Sequence, residues 1–233
     1  MTAPANSERT PRSSLTGYAI KRGLDIGLSG ILLVLLSPLL ALVGLAIRLD
    51  SSGPALFVQR RAGATPKKVD DHIEWERTEF SVYKFRSMYV DGDDSRHEEY
   101  IARWTAGDVD ENEQGPKYKL TGDPRVTRVG SLIRRTSIDE LPQLLNVVKG
   151  DMSLVGPRPV PTYELDNYEA WHYERFQALP GITGYWQVYG RGSVPFDEMM
   201  QMDIHYVRDQ SLWMDLKLLA LTLPAVISTR GAR

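Results

Sequence analysis

The chain has 233 residues and no cysteine, which excludes disulfides, zinc–thiolate centres, iron–sulfur clusters and cysteine nucleophiles from its chemistry. Its 28 lysines and arginines nearly balance its 30 aspartates and glutamates, and a formal net charge of −2 is not that of a general nucleic-acid binder. With 42% apolar and 25% charged residues, the composition is typical of a folded domain and not of a disordered chain.

Residues 1–16 are rich in serine, threonine and proline, a composition typical of a disordered tail. Residues 26–47 then carry no charged side chain, and about 20 apolar residues are enough to cross a bilayer. A secretory signal does not fit this run, which is too long and is followed by Arg48 rather than by a small-residue cleavage site. Residues 17–50 are therefore predicted to form a membrane helix.

The way in which this helix enters the membrane depends on its middle and its flanks. Ser37 and Pro38 stand at the centre of the run, and proline removes one helical hydrogen bond and kinks the helix. Basic residues stand on both sides, among them Lys21 before the run and Arg48 after it, and basic flanks stay on the cytoplasmic side. Both observations predict a re-entrant helix that breaks at Ser37 and Pro38, where the Ser37 hydroxyl can satisfy freed backbone groups. A kinked helix that spans the bilayer is the alternative.

Beyond the membrane helix, residues 51–233 are predicted to form one α+β domain that is mostly helical with a small β-hairpin. Aromatic and β-branched residues favour strands over residues 55–59 and 79–85, joined by a polar loop over 66–76. Patterning and capping residues predict an extended segment over 182–188 and helices over residues 94–104, 128–134, 139–149, 163–179 and 196–209. Residues 211–227 are apolar but interrupted by charges and a proline, and are predicted to form an amphipathic helix in the membrane interface.

The densest group of chemically competent residues is centred on two adjacent carboxylates, Asp139 and Glu140. Pro142 fits only the first turn of a helix, which places both carboxylates at a helix start, where they can reach a ligand beyond its end. The positive end of the helix dipole keeps Asp139 ionised, and an ionised aspartate can attack phosphorus. Glu140 offers the hard oxygen ligand that Mg²⁺ prefers.

A second interpretation of the pair is purely structural. Ser137 stands three residues before Glu140, and this spacing is also that of a capping box, in which serine and glutamate satisfy the first N–H groups of a helix. Both interpretations remain open from the pair alone.

Basic residues around the pair favour a phosphate site. Arg134 stands about one turn upstream, and Arg158 lies in a rigid Gly-Pro-Arg-Pro turn. Lys84 and Arg86 end a predicted strand, although either could be a solvated strand end. The planar guanidinium group suits phosphate oxygens, and two carboxylates among fixed cations resemble the electrostatics of phosphoryl transfer.

The remaining polar candidates carry less information. The glycine-rich stretch 181–192 lacks a nucleotide-loop spacing, and its Gln187 and Arg191 either bind a nucleotide sugar or belong to a tight turn. His172 and His205 each lie among aromatic residues, which favours packing over ligation.

Five motifs, in order along residues 18–227, resemble those of the bacterial sugar transferase family, the monotopic polyprenyl-phosphate phosphoglycosyl transferases. They are the Ser37 and Pro38 pair within the apolar segment, YKFRSM, DPRVTRVGSLIRRTSIDELPQLLNVVKGDMSLVGPRP, GITGYWQVYGR and SLWMDLKLLALTLPAV. The C-terminal half resembles the hexose-1-phosphate-transferring members most.

The resemblance implies a reaction and a site. Members of the family transfer a sugar-1-phosphate from a nucleoside diphosphate sugar to a membrane polyprenyl phosphate, and UMP leaves. At the matching positions, Asp139 is implied as the nucleophile that takes the phosphosugar, and Glu140 as the residue that holds Mg²⁺. Lys84, Arg134 and Arg158 are implied to bind phosphate groups.

The resemblance also implies partners and a location. The donor is expected to be a UDP-hexose and the acceptor undecaprenyl phosphate, at the start of surface-glycan or exopolysaccharide assembly. The break at Ser37 and Pro38 implies a re-entrant helix, which keeps the catalytic domain on the cytoplasmic face of the bacterial inner membrane. The acidic stretch 89–116 departs from the family pattern, and because acidic residues repel an anionic diphosphate it is expected at the rim of the site, as a lid or as a contact within a homo-oligomer.

Two other functions compete with this interpretation. A membrane-bound, magnesium-dependent phosphohydrolase could use the same carboxylates and release sugar phosphate to water without a lipid acceptor. A non-catalytic scaffold for glycan assembly would tolerate replacement of both carboxylates.

Overall fold

The structure is a computed structural model that describes residues 13–90, 103, 123–190 and 194–227. Its chain combines helices with a small sheet, as predicted. A disordered tail was predicted for residues 1–16, but residues 13–16 form the first strand, β1 (Ser13–Ser14), and the beginning of the first helix, α1 (Leu15–Asp50). Residues 1–12 of that stretch and most of the acidic stretch, including the predicted helix 94–104 apart from Arg103, lie outside the described residues.

Helix α1 is one continuous helix of 36 residues that runs through Ser37 and Pro38. Pro38 has no N–H to donate to the carbonyl of Val34, and the Ser37 hydroxyl donates to that carbonyl instead, at 2.8 Å. The predicted role of the Ser37 hydroxyl is therefore confirmed. The helix therefore continues through Ser37 and Pro38 without an interruption, and the re-entrant course of α1 stays a prediction.

Both ends of α1 are bound to the rest of the chain. Near its start, Lys21 pairs with Asp215 at 2.7 Å between Nζ and Oδ2. At its end, Asp50 accepts a hydrogen bond from the backbone N–H of Val129 at 3.0 Å. Within the described part of the chain, α1 is the one helix long and apolar enough to span a membrane, and only 11% of its most apolar 18 residues are buried.

One face of α1 is left without cover. Its exposed large apolar residues are Ile20, Leu24, Ile26, Leu28, Ile31, Val34, Leu35, Leu39, Leu42, Leu45 and Leu49. A contiguous apolar surface of this extent is characteristic of a membrane or protein contact and not of a helix exposed to water. The helix therefore differs from the core helix of a soluble domain.

The sheet is built on a long hairpin of strands β2 (Leu56–Val69) and β3 (His72–Phe85), which pair antiparallel over all 14 residues of each strand. Strand β1 pairs with β3, and a short strand β5 (Val160–Pro161) pairs with β2. The predicted loop over residues 66–76 is thus wrong, since the strands continue to a two-residue turn.

Helices and short strands follow the hairpin. Helix α2 (Arg128–Arg135), a 3₁₀ turn (Ile138–Glu140) and helix α3 (Gln143–Lys149) lead to strand β4 (Ser153–Val155). Gly150 ends α3 at φ 105°, a left-handed conformation that suits glycine. Strand β4 pairs in parallel with β6 (Gly181–Thr183).

The C-terminal half departs from the prediction in two places. The helix predicted over 163–179 is two 3₁₀ segments (Thr162–Asn167 and Ala170–Phe176), and the extended segment 182–188 is a strand end followed by helix α4 (Tyr185–Tyr189). Helices α5 (Phe196–Asp209) and α6 (Leu212–Ile227) lie where they were predicted.

The main core lies where α3, β4, α5 and α6 meet the buried face of β3. Its fully buried members include Val147 of α3, Met152 before β4, Val207 of α5 and Leu218 of α6. Leu32 and Leu33 of α1 pack against the same cluster, so the apolar helix and the domain share one core. This packing fixes α3, and with it the preceding 3₁₀ turn, against the hairpin.

Candidate active site

The two carboxylates lie on the 3₁₀ turn that precedes helix α3, not on the helix itself. Ser137 enters the turn in the left-handed conformation, at φ 55° and ψ 16°. A non-glycine residue in this region costs about 1 kcal/mol or more and is often found where a site must be shaped. Pro142 then has φ −60°, directly before the first residue of α3, Gln143. The helix predicted from Asp139 therefore begins four residues later.

The capping-box interpretation of the pair is wrong. Ser137 makes no side-chain capping hydrogen bond, because its left-handed backbone is not that of a helix N-cap. Glu140 instead accepts a hydrogen bond from Lys84, at 3.0 Å between Nζ and Oε1. The same Oε1 lies 3.5 Å from a guanidinium nitrogen of Arg158.

The structure thus brings Lys84, Arg158 and Glu140 together beside Asp139. Lys84 comes from the end of strand β3 and Arg158 from the loop between β4 and β5. Asp139 is buried, and its charge acts on Lys84. Strand β3, the 3₁₀ turn and the loop after β4 are distant in sequence and meet at the carboxylate of Glu140.

The ammonium group of Lys84 is strongly perturbed by its surroundings. Burial lowers the pKa of its ammonium group from 10.5 to about 8, the nearby Glu140 carboxylate opposes this shift, and Arg158 and Arg61 add to it. The cluster contains three cations (Lys84, Arg158 and Arg61) and two carboxylates (Glu140 and Asp139), which leaves a net charge of 3 − 2 = +1. A largely buried cluster with a positive excess is suited to bind an anion.

Arg61 is a site residue that the sequence did not indicate. Strand register places Phe57 directly opposite Lys84, and Arg61 lies four residues further along β2 on the same face. The guanidinium group of Arg61 donates to the carbonyl of Pro159 at 3.2 Å, within the Gly-Pro-Arg-Pro loop. The exposed Phe57 gives this face an apolar neighbour to Lys84. The alternation of side chains along β2 would have predicted Arg61 and Phe57 beside Lys84 only if the register between β2 and β3 had been known.

The loop that carries Arg158 approaches the strand β6 segment closely. The N–H of Gly156 donates to the carbonyl of Thr183 at 2.9 Å, and the N–H of Gly181 donates to the carbonyl of Pro157 at 2.8 Å. A Cβ atom on Gly156 would lie 2.2 Å from the carbonyl oxygen of Leu179, so glycine is required by the closeness of the two backbones. These contacts hold the backbone of the loop from which the Arg158 side chain extends.

The structure shows other contacts for two further predicted cations. Arg134 is in the last turn of α2, where its charge helps to lower the pKa of Asp123 after the larger effect of the hydrogen bond from Arg125. Arg86 is buried and donates to the carbonyls of Ser51 and Ser52 at 2.7 Å each, which caps the C-terminus of α1. Arg86 as a substrate cation is therefore wrong.

The glycine-rich stretch and the histidines contribute less. Gln187 of α4 donates to the carbonyl of Ile182 in strand β6 at 3.1 Å, and Arg191 lies outside the described residues. Buried His172 accepts the N–H of Glu169 at 2.9 Å, as expected for a packing residue, whereas the half-exposed His205 pairs with Asp209 at the surface.

Comparisons with known proteins agree with the resemblance in sequence. A family model described as bacterial sugar transferase matches residues 16–229. The chain is 39% identical to an undecaprenyl-phosphate galactose phosphotransferase of Salmonella typhimurium, over 91% of this chain and 41% of that protein. It is 42% identical to a UDP-glucose:undecaprenyl-phosphate glucose-1-phosphate transferase of Caulobacter vibrioides, over 91% of this chain and 71% of that protein.

A third relative is similar in length to this chain. The exopolysaccharide production protein ExoY of Sinorhizobium fredii is 37% identical, over 93% of this chain and 89% of that protein. Other curated relatives are much longer, and the chain spans about two fifths of their length.

Proposed function

The chain belongs to the bacterial sugar transferase family, and we propose that it transfers a hexose-1-phosphate from a UDP-hexose to undecaprenyl phosphate and releases UMP. The names of its relatives support a hexose and this lipid acceptor. The observation that carries the proposal is the Glu140 carboxylate, held by Lys84 and near Arg158 beside the buried Asp139. That arrangement combines a nucleophile for phosphorus with cations for a diphosphate.

We propose Asp139 as the nucleophile. Its carboxylate attacks the phosphorus that bears the sugar, the phosphorus–oxygen bond to UMP breaks, and an aspartyl phosphosugar forms. A phosphate oxygen of the lipid then attacks the same phosphorus, and Asp139 leaves as a free carboxylate. One nucleophile can thus serve a soluble donor and a lipid acceptor in turn.

Lys84 and Arg158 are proposed to neutralise the diphosphate and the charge that develops on the departing UMP. Arg134, one turn upstream of the pair, is a further proposed phosphate contact, and Gln187 and Arg191 are proposed contacts to the nucleotide sugar. The ion pair between Lys84 and Glu140 holds the ammonium group in position before the substrate binds.

The carboxylates also fit a magnesium ion. Mg²⁺ is commonly held by one or two protein carboxylates together with substrate phosphates, and the described residues contain no cluster of three or more acidic or histidine ligands that would form a complete protein cage. Glu140 is proposed to hold the ion, with Asp139 next to it. A bound Mg²⁺ would withdraw charge from the diphosphate and make UMP a better leaving group.

We propose that α1 inserts into the cytoplasmic face of the bacterial inner membrane as a re-entrant element that bends at Ser37 and Pro38. Lys21 and Asp50, which lie near its two ends, both contact the same domain, and this supports a return of the helix to one face. Exposed Trp213 of α6 suits headgroup depth. The chain has no cysteine, so single cysteines at Ala19 and Arg60 can be labelled cleanly from either side of a vesicle. Labelling from opposite sides would contradict the re-entrant arrangement.

The reaction is tested with the full-length protein in vesicles that contain Mg²⁺, undecaprenyl phosphate and a panel of UDP-sugars, with UMP release as the readout. We expect release with UDP-glucose or UDP-galactose that requires the lipid. Asp139→Asn should abolish release and the covalent sugar phosphate, whereas Asp166→Asn, an exposed aspartate on another 3₁₀ segment, should leave both unchanged.

Two outcomes of this assay would contradict the proposal. Release of sugar phosphate without lipid would indicate a phosphohydrolase. Full activity of Asp139→Asn, or complementation of glycan assembly by Asp139→Ala with Glu140→Ala, would remove the carboxylates from the mechanism.

A further inference from the structure

A deeply buried ion pair lies behind the Arg158 loop. Arg175 of the second 3₁₀ segment pairs with Asp203 of α5, and their exposed fractions are 1% and 0%. Arg175 also donates to the hydroxyl of Tyr168 at 2.5 Å, and that hydroxyl donates to Glu164 at 3.2 Å. None of these residues has a role in the reaction as proposed so far.

The pair holds both backbone polar groups of Arg158. The guanidinium group of Arg175 donates to the carbonyl of Arg158 at 2.8 Å. The carboxylate of Asp203 accepts the backbone N–H of the same residue. A residue whose N–H and carbonyl are both fixed by charged partners cannot shift without breaking two charge-assisted hydrogen bonds.

Stability alone is a poor explanation for such a pair. Taking two charges out of water costs several kcal/mol each, and apolar pairs of the same volume are often equally stable. Burial raises the pKa of Asp203 even though Arg175 opposes the shift, which shows how unfavourable the site is for charge. The position of the pair, directly on the backbone of a phosphate-binding arginine, gives it a function.

We propose that Arg175 and Asp203 are positioning residues, which clamp the backbone of Arg158 so that its guanidinium group meets the diphosphate and Glu140. This inference rests on the proposed function of the site. Neither residue is proposed to touch the substrate. Their effect passes through Arg158 alone.

The chain offers a matched control for this clamp. Glu174 and Arg208 form an ion pair at 2.6 Å between the same two elements, the second 3₁₀ segment and α5. This pair lies at the surface and is one residue from Arg175 in sequence. Arg208→Gln should therefore leave UMP release unchanged while it removes a bridge between the same elements.

The test is a double-mutant cycle in the UMP release assay, with the affinity for UDP in the presence of Mg²⁺ as a second readout. Asp203→Asn should lower kcat and UDP affinity by about ten- to hundredfold, since misplacement by about 1 Å can have this effect. In an Arg158→Ala background the same change should cause no further loss, because no guanidinium group is left to position. A purely structural role predicts the same loss in both backgrounds and would overturn the inference.

A second variant covers a failure of Asp203→Asn to fold. Arg175→Met with Asp203→Leu removes both charges at similar volume, so thermal unfolding should show a retained fold while kcat falls as above. A folded double variant with unchanged kcat overturns the inference and leaves the proposed function standing. A wild-type protein with neither UMP release nor UDP binding overturns both.

Discussion

Replacement of Lys84 by methionine is expected to affect stability and activity in different ways: the free energy of unfolding should stay the same or rise, whereas UMP release should fall. Burial lowers the pKa of Lys84 from 10.5 to about 8, and one pKa unit corresponds to about 1.4 kcal/mol. The shift thus amounts to about 3 kcal/mol by which the folded chain disfavours the ammonium group. Because 18% of the side chain is exposed to solvent, we take about 1–3 kcal/mol as the free energy at stake.

The direction follows from proton binding. The folded chain loses the Lys84 proton near pH 8 and the unfolded chain near 10.5, so the unfolded chain binds more protons between these values. The wild-type free energy of unfolding should therefore gain a contribution from Lys84 as pH rises from 8 to 10.5. Lys84→Met lacks the titrating group and should lack this gain.

The assay is thermal unfolding in detergent at pH values from 7 to 10, beside UMP release at pH 7. At pH 7 the variant should be as stable as the wild type or more so, and 1 kcal/mol corresponds to about 2–4 °C in Tm for a chain of this size. UMP release should nevertheless fall by a factor of about 100 or more, since one donor to the developing charge is removed. Lys149→Met, at an exposed lysine beside the same strand, is the control.

Two results would refute this reasoning. If wild type and Lys84→Met show the same dependence of Tm on pH, then the ammonium group of Lys84 is not disfavoured by burial. If the variant keeps its rate of UMP release, then Lys84 does not contact the diphosphate.

Three further changes test the loop, the helix cap and the ion. Gly156→Ala should lower the free energy of unfolding by about 1–3 kcal/mol or prevent folding, because the Cβ of the new alanine would lie 2.2 Å from the carbonyl oxygen of Leu179. An unchanged Tm would contradict the close approach of the two backbones. Arg86→Gln should destabilise the fold by about 1.5–3 kcal/mol through the lost caps on α1, with kcat of the folded fraction unchanged; a specific loss of kcat would return Arg86 to the site. Glu140→Gln should raise the Mg²⁺ concentration for half-maximal UMP release by about tenfold, and an unaltered requirement would assign the ion elsewhere.

The sequence indicated the centre of the site but not its surroundings. Lys84, Arg158 and the carboxylate pair were expected to meet because their motifs are specific, and the structure brings them together. Arg61 was missed because its place beside Lys84 depends on strand register. Arg175 and Asp203 were missed because they reach Arg158 only through tertiary folding, from 17 and 45 residues further along the chain.

The errors in the fold have similar physical causes. The amphipathic pattern over residues 163–179 does not distinguish an α-helix from successive 3₁₀ segments, which tertiary contacts decide. The polar hairpin tip was taken for a loop, although Lys67 stands opposite Glu74 and such pairs stabilise a ladder. The capping-box spelling at Ser137 was ambiguous because the left-handed backbone of that residue cannot be deduced from composition.

The attachment of α1 at both ends has a mechanical consequence. Lys21 is paired with Asp215 and Asp50 accepts the N–H of Val129, so each end of the long helix is fixed to the catalytic domain by a polar contact and not joined to it by an unattached linker. If α1 inserts as proposed, the depth to which its apolar face enters the bilayer sets the height of Asp139 above the hydrocarbon. Under the proposed mechanism, a bilayer of different thickness would then change the distance between Asp139 and the phosphate of the lipid acceptor, and lipid composition would alter the rate of transfer to that lipid.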